Sequence, residues 1–347
     1  MKRIFLAFCV AALVPALTFA QADLQPAAIV KLTKTEPITV KQLKVEVAKL
    51  EEKANRALTA EERRQVLDVM INERLAMQGA DRDKIVVTDG EINQQIQQAR
   101  SSMASSLGRL PTDMEFDAAL KNETGGDLSA YKERLKKELT VQKYLVQKKK
   151  ALFDSLKNPS EAEISEAYEL SKAKLVRPDT IRFSMIFIPI GTDAGDRAKA
   201  KTLADKLSSE IANSGSKFDE VLIRSQVAGS NYQGGDGGYL PKTAEAQKVV
   251  GSEFMTVGFS LSPGQVSRVL ENPKGFQIIK VTETYTQKTL ELNDPYQLGS
   301  RPTVREYLGN LIAQQRQQRV IDAATKELVS ELRAGNSFQV YDKNLNW

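Results

Sequence analysis

The sequence contains no histidine, and its only cysteine, Cys9, lies within the first twenty residues. Histidine and cysteine are the ligands of most zinc and copper sites, and they supply the base or the nucleophile of Ser–His and Cys–His enzymes. A chain without its first twenty residues therefore forms no disulfide bond. The composition excludes most zinc-dependent and triad-type hydrolases, and we predict neither a bound metal nor a cofactor.

Residues 1–20 have the pattern of a signal peptide. Lys2 and Arg3 precede an apolar stretch at positions 4–17, and Thr18-Phe19-Ala20 resembles a cleavage site. Pro15 interrupts the stretch, which is short for a transmembrane span. We predict export to the periplasm. Lipid attachment at Cys9 is the disfavoured alternative, because bulky Phe8 precedes it and it lies early in the segment.

Charge of one sign is not in large excess. The formal net charge is +5, and it becomes +3 when Lys2 and Arg3 are removed with the predicted signal peptide. This balance is too mild to indicate nucleic-acid binding. The sequence also has no nucleotide-binding motif, so any binding and release of a partner is expected to be independent of ATP.

Helix starts are marked clearly in the part of the chain that follows. A capping box pairs a Ser or Thr with a Glu or Gln three positions later, and each satisfies a free amide of the other. The sequence has this spacing at Thr39/Gln42, Thr59/Glu62, Thr88/Glu91, Thr112/Glu115, Ser160/Glu163 and Thr303/Glu306. Apolar residues recur at helical spacing behind these caps, for example Leu43, Val47 and Leu50, so we predict a largely helical N-terminal region. Residues 122–127 (NETGGD) are predicted to form a loop.

A second region alternates strand and helix patterns. Residues 181–190 (IRFSMIFIPI) predict a buried strand, residues 197–212 a helix and residues 275–281 a closing strand. The sequence GGDGGY at 234–239 lacks the Gly-Lys-Ser/Thr ending of a phosphate-binding loop, and we predict a turn there. Together these segments resemble the parvulin family of peptidyl-prolyl isomerases over residues 178–286.

The N-terminal segments at 38–50 and 63–96, placed before the parvulin-like region, resemble the periplasmic SurA and PrsA-type folding factors. This resemblance implies an α+β fold, in which a mostly helical chaperone domain is completed by a C-terminal helix and carries an inserted parvulin-like domain. That domain would be a small antiparallel sheet flanked by helices. The predicted boundaries are 1–20 for the signal peptide, 21–177 for the chaperone domain, 178–286 for the parvulin-like domain and 287–347 for the linker and C-terminal helix. The segment FQVY at 338–341 is predicted to add a strand to the entry segment.

The parvulin resemblance also implies where catalytic groups belong. The two histidine positions of the family fall on Met185 and Gln277, the Cys or Asp position on Val227, and the hydroxyl position on Lys274. Methionine is only a weak acceptor, and glutamine cannot titrate in the physiological range. The polar set of the family is therefore missing, and we predict no catalytic residue.

The apolar half of the family's pocket is retained. Val250, Phe254 and Phe259 match its proline-binding positions, with Met185 and Gln277 beside them. One interpretation is that Met185, Val227 and Gln277 fill a retired active site. The other is that the pocket still binds Xaa-Pro segments and accelerates their isomerisation slightly, since a tenfold rate gain requires only about 1.4 kcal/mol.

The resemblance favours an ATP-independent periplasmic chaperone for unfolded envelope proteins, particularly outer-membrane proteins. Flexible methionines suit promiscuous apolar binding, and Met70, Met77, Met103 and Met114 are candidates for a client cleft, with ordinary core packing as the alternative. An active, histidine-free prolyl isomerase and a peptide-docking scaffold are the alternative functions. Expected partners are unfolded or proline-containing polypeptides, and a homodimer formed by strand exchange is compatible with the predicted terminal strands.

Overall fold

The computed structural model describes residues 23–193, 195–227 and 229–347, and the side chain of Thr124 is not described. The predicted signal peptide and Cys9 lie outside these residues. Within the described ranges, every helix is too short or too polar to span a bilayer. No cluster of acidic side chains suited to holding a metal ion occurs in the same ranges.

The chain divides into two compact units, and one is inserted into the other. The first unit contains residues up to Lys157 and from Arg316 onward, and the second contains Asn158–Gln315. The predicted α+β fold, with a parvulin-like domain inserted in a helical domain, is confirmed. The second unit contains the whole predicted segment 178–286 together with flanking residues, and the predicted boundaries themselves stay a prediction.

The first unit joins a helical array to a small sheet. Its antiparallel sheet has β1 (Pro26–Val30) between β2 (Glu36–Thr39) and β9 (Phe338–Val340), so strands from the two ends of the described chain meet in one sheet, and the predicted C-terminal strand is confirmed. Its elements are β1 (Pro26–Val30), β2 (Glu36–Thr39), α1 (Val40–Ala54), α2 (Ala60–Arg82), α3 (Asp89–Leu107), α4 (Asp113–Thr124), α5 (Leu128–Lys148), α6 (Lys150–Asp154), the C-terminal part of α12 (Val304–Arg333) and β9 (Phe338–Val340).

Two cores hold this unit together. In the first, the sheet packs against α1, α2, α5 and the last turns of α12 around Leu67, Ile71 and Tyr144, all fully buried. The second core lies among α3, α4 and α5. Gly79 of α2 lies directly against the ring and hydroxyl of Tyr144, where no side chain would fit, so the close contact of α2 and α5 requires glycine at this position.

The predicted capping boxes are present at helix starts in both units. In each of the five at Thr39, Thr59, Thr88, Thr112 and Ser160, the hydroxyl accepts from the backbone amide three residues on, and the Glu or Gln side chain accepts in return. Thr303 and Glu306 form the same pair at the start of α12. These local signals fix where the helices begin.

The hairpin between β1 and β2 is held by a side chain from α2. Gln78 is only 1% exposed, and its Oε1 accepts from the backbone amides of Leu32 (3.0 Å), Thr33 (3.0 Å) and Lys34 (3.4 Å). Its Nε2 donates to Glu36, which also forms an ion pair with Arg74. The acceptor for the backbone amides of this turn is therefore a buried side chain of α2, and no residue of the turn itself provides it.

The second unit is built on a four-stranded antiparallel sheet, in the order 233–241, 180–189, 275–285 and 270–272, with a separate two-stranded pairing of 176–177 and 288–289. Its elements are α7 (Glu161–Ser171), β3 (Val176–Arg177), β4 (Thr180–Pro189), α8 (Asp196–Ile211), α9 (Gly215–Arg224), β5 (Gln233–Pro241), α10 (Ala244–Val250), α11 (Ser252–Gly258), β6 (Leu270–Asn272), β7 (Gly275–Tyr285), β8 (Lys288–Thr289) and the N-terminal part of α12.

The two faces of the larger sheet bury different helices. Ile186 and Ile188 of β4 pack with α8 and α9, whereas Ile181 and Phe183 of the same strand pack with α10 and α11. Side chains alternate between the faces of a strand, so one apolar strand serves both cores. A third cluster joins α7 to the start of α12 within the same unit.

Two local predictions were wrong. Residues 122–124 belong to α4, and Gly125 caps the end of this helix in the left-handed conformation, so the loop begins later than the composition indicated. Residues 234–239 form no turn but lie in β5, paired with β4 across a bulge. Gly237 of this strand lies against the ring of Phe183, and Gly238 has a φ of 74°, so the glycines serve a bulge and a close approach.

Candidate functional sites

A groove of about 1170 Å³ lies in the first unit, along α1 and α2. Helix α1 contributes only Val40, Leu43 and Val47 to the buried core. Other apolar side chains of the two helices and their connection line the groove: Val45, Leu50, Leu58, Val66, Val69, Met70 and Met77. The predicted common face of Leu43, Val47 and Leu50 is therefore incomplete, because Leu50 is exposed in the groove and lies outside the core.

Exposed apolar surface distinguishes this groove from the rest of α2. Val69 is 64% exposed, and Val45 and Leu50 are also exposed. A contiguous apolar surface with a polar rim is typical of a surface that binds another polypeptide. The groove can accept apolar side chains without any rearrangement of the core beneath it.

The four candidate methionines have different environments. Met70 and Met77 line the groove. Met103 packs against the core between α3 and α5, which is the ordinary structural role. Met114 is exposed at the start of α4 and is not among the groove residues. The structure therefore brings two of the four together.

The second candidate site is one face of the β5-β4-β7-β6 sheet. Met185 of β4 lies opposite Ile279 of β7, and Phe187 lies opposite Gln277. Because directly opposed residues share a face and the side chains alternate along each strand, Met185 and Gln277 are on the same face. Val250, Phe254 and Phe259 pack into the apolar cluster on that face. The structure thus brings the five predicted pocket residues to one surface.

The aromatic residues of this face differ in burial. Phe254 is 3% exposed and meets Phe183 edge to face, with 5.1 Å between the ring centroids. Phe259, at the end of α11, is only partly buried, and the ammonium of Lys242 lies 5.4 Å from its ring centroid. Phe254 is therefore a core residue, while Phe259 is accessible to a ligand.

Gln277 is the polar residue of the face. It is 6% exposed, and its side-chain amide makes no hydrogen bond to the described residues, but its atoms are not among the fully buried polar atoms that lack a partner. The amide can therefore still be completed by a water molecule or by a ligand. A peptide group could supply both the donor and the acceptor that this amide can bind.

The remaining family positions lie apart from the cluster. Val227 is exposed in the turn after α9, and Lys274 is exposed in the turn between β6 and β7. The hydroxyl of Ser225 donates to the carbonyl of Leu222 at 2.5 Å. None of these side chains supplies a polar group to the cluster around Met185.

A charged cluster ties three strands of the same sheet together. Arg182 donates to Asp236 at 2.8 Å and to Glu283 at 3.0 Å. Hydrogen bonding from Arg182 lowers the pKa of Asp236, and hydrogen bonds from Tyr285 and then Arg182 lower the pKa of Glu283. The bond to Glu283 in turn raises the pKa of Tyr285 to about 12. All four groups are thus held in their usual charge states at neutral pH, and none is poised to exchange a proton.

The family is decided by comparison with known sequences. Residues 4–145 match the SurA-like N-terminal domain, and residues 168–285 match the PPIC-type PPIase domain. The chain belongs to the SurA/PrsA-type family. Chaperone SurA of Hahella chejuensis is 27% identical over 63% of this chain and 47% of its own length. Foldase protein PrsA of Clostridium botulinum (strain Loch Maree) is 21% identical over 88% of this chain and 82% of its own length.

This SurA/PrsA-type chain spans about half the length of the SurA relatives that it matches. Among solved structures, one of the SurA-like chaperones PEB4 and Cj1289 of Campylobacter jejuni aligns with 91% of this chain at 15% identity, and the TM-score is 0.40. Likeness at that level adds nothing to the family assignment, which depends on the two domain matches.

Sequence reasoning missed two sets of residues in the SurA/PrsA-type chain. It missed the groove residues Val45 and Val69, whose exposure depends on which faces of their helices the rest of the unit covers. It also missed Phe183 and Phe187, which share the face of Met185 by alternation along β4.

Proposed function

We propose that this protein is an ATP-independent chaperone of the periplasm that binds unfolded envelope proteins, with outer-membrane proteins as its main clients. The observation that carries the proposal is the groove of the first unit, in which Val45, Leu50 and Val69 remain exposed beside Met70 and Met77. Unfolded chains expose apolar side chains in many sequences, and flexible methionines adapt to them at little cost. The names of the SurA and PrsA relatives support the same class of function.

The test is suppression of aggregation of an unfolded outer-membrane barrel protein by the chain from Gln21 onward. Val69→Ser is expected to weaken client binding roughly tenfold, because a buried valine contributes about 1.5 kcal/mol or more on binding. Val86→Ser is a matched control, since Val86 is 67% exposed against 64% for Val69 and lies outside this groove. Equal losses in the two variants, or none in either, would exclude the groove as the client site.

We further propose that the parvulin-like domain is catalytically degenerate. Its sheet face keeps the apolar residues but has Met185 and Gln277 at the positions where the family has histidines. Stabilising a twisted amide requires polar groups aimed at it, and Gln277 is the only one of the five pocket residues that can donate a hydrogen bond. Rotation about the peptide bond faces a barrier of about 18–20 kcal/mol, so an apolar surface alone accelerates it little.

The alternative is an active, histidine-free prolyl isomerase, and the observation that favours it is the unpartnered amide of Gln277 on an apolar face. We expect the chain to leave the isomerisation rate of a panel of Xaa-Pro peptides at the uncatalysed value. Phe259→Ala and Gln277→Leu are the variants to compare. The first removes the accessible aromatic ring of this sheet face, and the second removes its polar side chain. Acceleration by the unmodified chain that disappears in both variants would establish the enzyme. Peptide binding without acceleration would instead indicate a docking module.

A further inference from the structure

The groove of the first unit is lined by charged residues of both signs, and those that lack an ion-pair partner among the described residues are mostly positive. Most of them form ion pairs: Lys34 with Asp81 at 3.8 Å, Lys49 with Glu46 at 2.8 Å, Arg74 with Glu36, and Glu62 with Arg56 at 2.6 Å. The last of these pairs, with a backbone amide at Thr59, lowers the pKa of Glu62 to about 2, so that carboxylate stays ionised and paired.

Three lysines of the groove remain without such a partner. Among the described residues, no carboxylate lies within ion-pair distance of Lys41, Lys53 or Lys137, and all three are exposed. Glu73 is the single acidic lining residue in the same state. The unpaired charges on the described residues that a bound segment would meet are thus three positive and one negative, and their sum is positive.

The positions of the lysines relative to the apolar surface are informative. Lys41 lies in the first turn of α1 and Lys53 in its last turn, while Val45 and Leu50 lie between them. At a rise of 1.5 Å per residue, the twelve intervening steps place the two backbone positions about 18 Å apart. An extended chain covers this distance in about five or six residues. The apolar strip is therefore flanked by a cation near each end, and Lys137 of α5 adds a third.

We propose that this groove selects polypeptide segments in which a short apolar run is flanked on both sides by acidic residues. The inference rests on the proposed function, since it presumes that the groove binds clients, and it adds the chemistry of the preferred segment. Apolar side chains would cover Val45, Leu50 and Val69, while the flanking carboxylates would pair with lysines to which the described residues offer no carboxylate partner. Segments flanked by lysine or arginine would be disfavoured by like-charge contacts.

Three peptides of matched length test the arrangement, with binding measured by isothermal titration calorimetry. The first is Ser-Glu-Leu-Val-Phe-Leu-Val-Glu-Ser, the second has glutamine in place of both glutamates, and the third, Ser-Leu-Val-Glu-Phe-Glu-Leu-Val-Ser, has the same composition with central acids. We expect the first to bind roughly 3- to 5-fold more tightly than the second at low salt, from one exposed charge contact of a few tenths of a kcal/mol at each of its two glutamates. The third is expected to bind no more tightly than the second.

The charge contribution is checked with two triple variants of equal net charge. K41Q/K53Q/K137Q is expected to abolish the preference for the first peptide. K132Q/K136Q/K326Q removes three exposed lysines of the same unit that do not line the groove, and it is expected to keep the preference. The preference should also fall to less than about twofold at roughly 0.5 M salt, because exposed charges are screened over a few ångströms there. Fluorescence of Trp347, the only tryptophan, reports whether each variant retains the first unit.

Each outcome decides a different statement. Equal binding of the glutamate and glutamine peptides overturns the inference and leaves the proposed chaperone function standing, whereas no binding of any peptide counts against client binding at this groove. Loss of the preference in K132Q/K136Q/K326Q as well would show that the preference depends on overall charge. Equal binding of the two glutamate-containing peptides would contradict the claim that the acidic residues must flank the apolar run. A dimer that dissociates in Val69→Ser, detected by sedimentation, would make a second copy of the chain the occupant and would also overturn the inference.

Discussion

Phe254→Ala is expected to lower the free energy of unfolding of the second unit by about 3–5 kcal/mol, the usual cost of truncating a buried phenylalanine. The ring is 3% exposed and packs edge to face on Phe183, beside Met255 and Ile279. Its removal loses the transfer free energy of the ring and leaves a cavity between α11 and the sheet. Urea unfolding followed by circular dichroism measures the change, and hydrogen exchange of the β4 and β7 amides locates it.

Phe259→Ala is the matched control for this variant. Phe259 lies five positions later and is only partly buried, so its truncation should cost less than half as much. A loss below about 1 kcal/mol for Phe254→Ala would contradict the assignment of this ring to the core. The distinction matters for function, because loss of peptide binding in Phe254→Ala would report unfolding, whereas loss in Phe259→Ala would report the surface itself.

Gln78→Leu is expected to cost the first unit about 1–3 kcal/mol, because it removes the acceptor of three backbone amides of the hairpin, of which that of Leu32 belongs to a partly buried residue and the other two to exposed residues. Leucine is similar in size to glutamine, so the effect reflects the lost hydrogen bonds rather than a large cavity. The bonds at stake run from Leu32, Thr33 and Lys34 to the side-chain oxygen. Urea unfolding followed by Trp347 fluorescence measures the loss.

Gln65→Leu is the matched control for this substitution, since Gln65 lies on the same helix, is exposed and should change stability by less than about 0.5 kcal/mol. Gln78→Glu keeps the acceptor but places a second carboxylate beside Glu36, 3.2 Å from the present amide nitrogen. It should therefore be less stable than the parent chain and be partly restored by Glu36→Gln. Equal stability of Gln78→Leu and Gln65→Leu would show that the hairpin does not depend on this amide.

Local features of the fold could be predicted from the sequence, because their causes lie within a few residues. A capping box such as Thr59/Glu62 is complete in four positions, and the structure has both of its hydrogen bonds. The hairpin between β1 and β2 could not be predicted in the same way. Its acceptor, Gln78, follows the turn by more than forty positions along the chain. The glycines of β5 were misread for the same reason, since the ring that Gly237 approaches belongs to β4.

The two candidate sites differed in how far they could be predicted. Met185, Phe254, Phe259 and Gln277 were placed by family resemblance, and alternation along β4 and β7 puts Met185 and Gln277 on the face against which the two phenylalanines pack. The groove could be recognised only from the structure. Val45 and Val69 are ordinary apolar residues in amphipathic helices, and their exposure depends on which faces of α1 and α2 the sheet and α5 cover. No pattern within one helix specifies this.

The pairing of β1 with β9 has a consequence for how the chain acquires its structure during synthesis. Ala28 lies opposite Val340, about 310 positions away, and the amide of Lys31 donates to the carbonyl of Ser337. A polypeptide made from its N-terminus presents β1 long before β9 exists. Residues Asn158–Gln315 are all synthesised before β9, so the inserted unit can fold while the first unit still lacks its last strand. The helices that line the groove are thus among the first parts to be made and the last to gain their complete sheet.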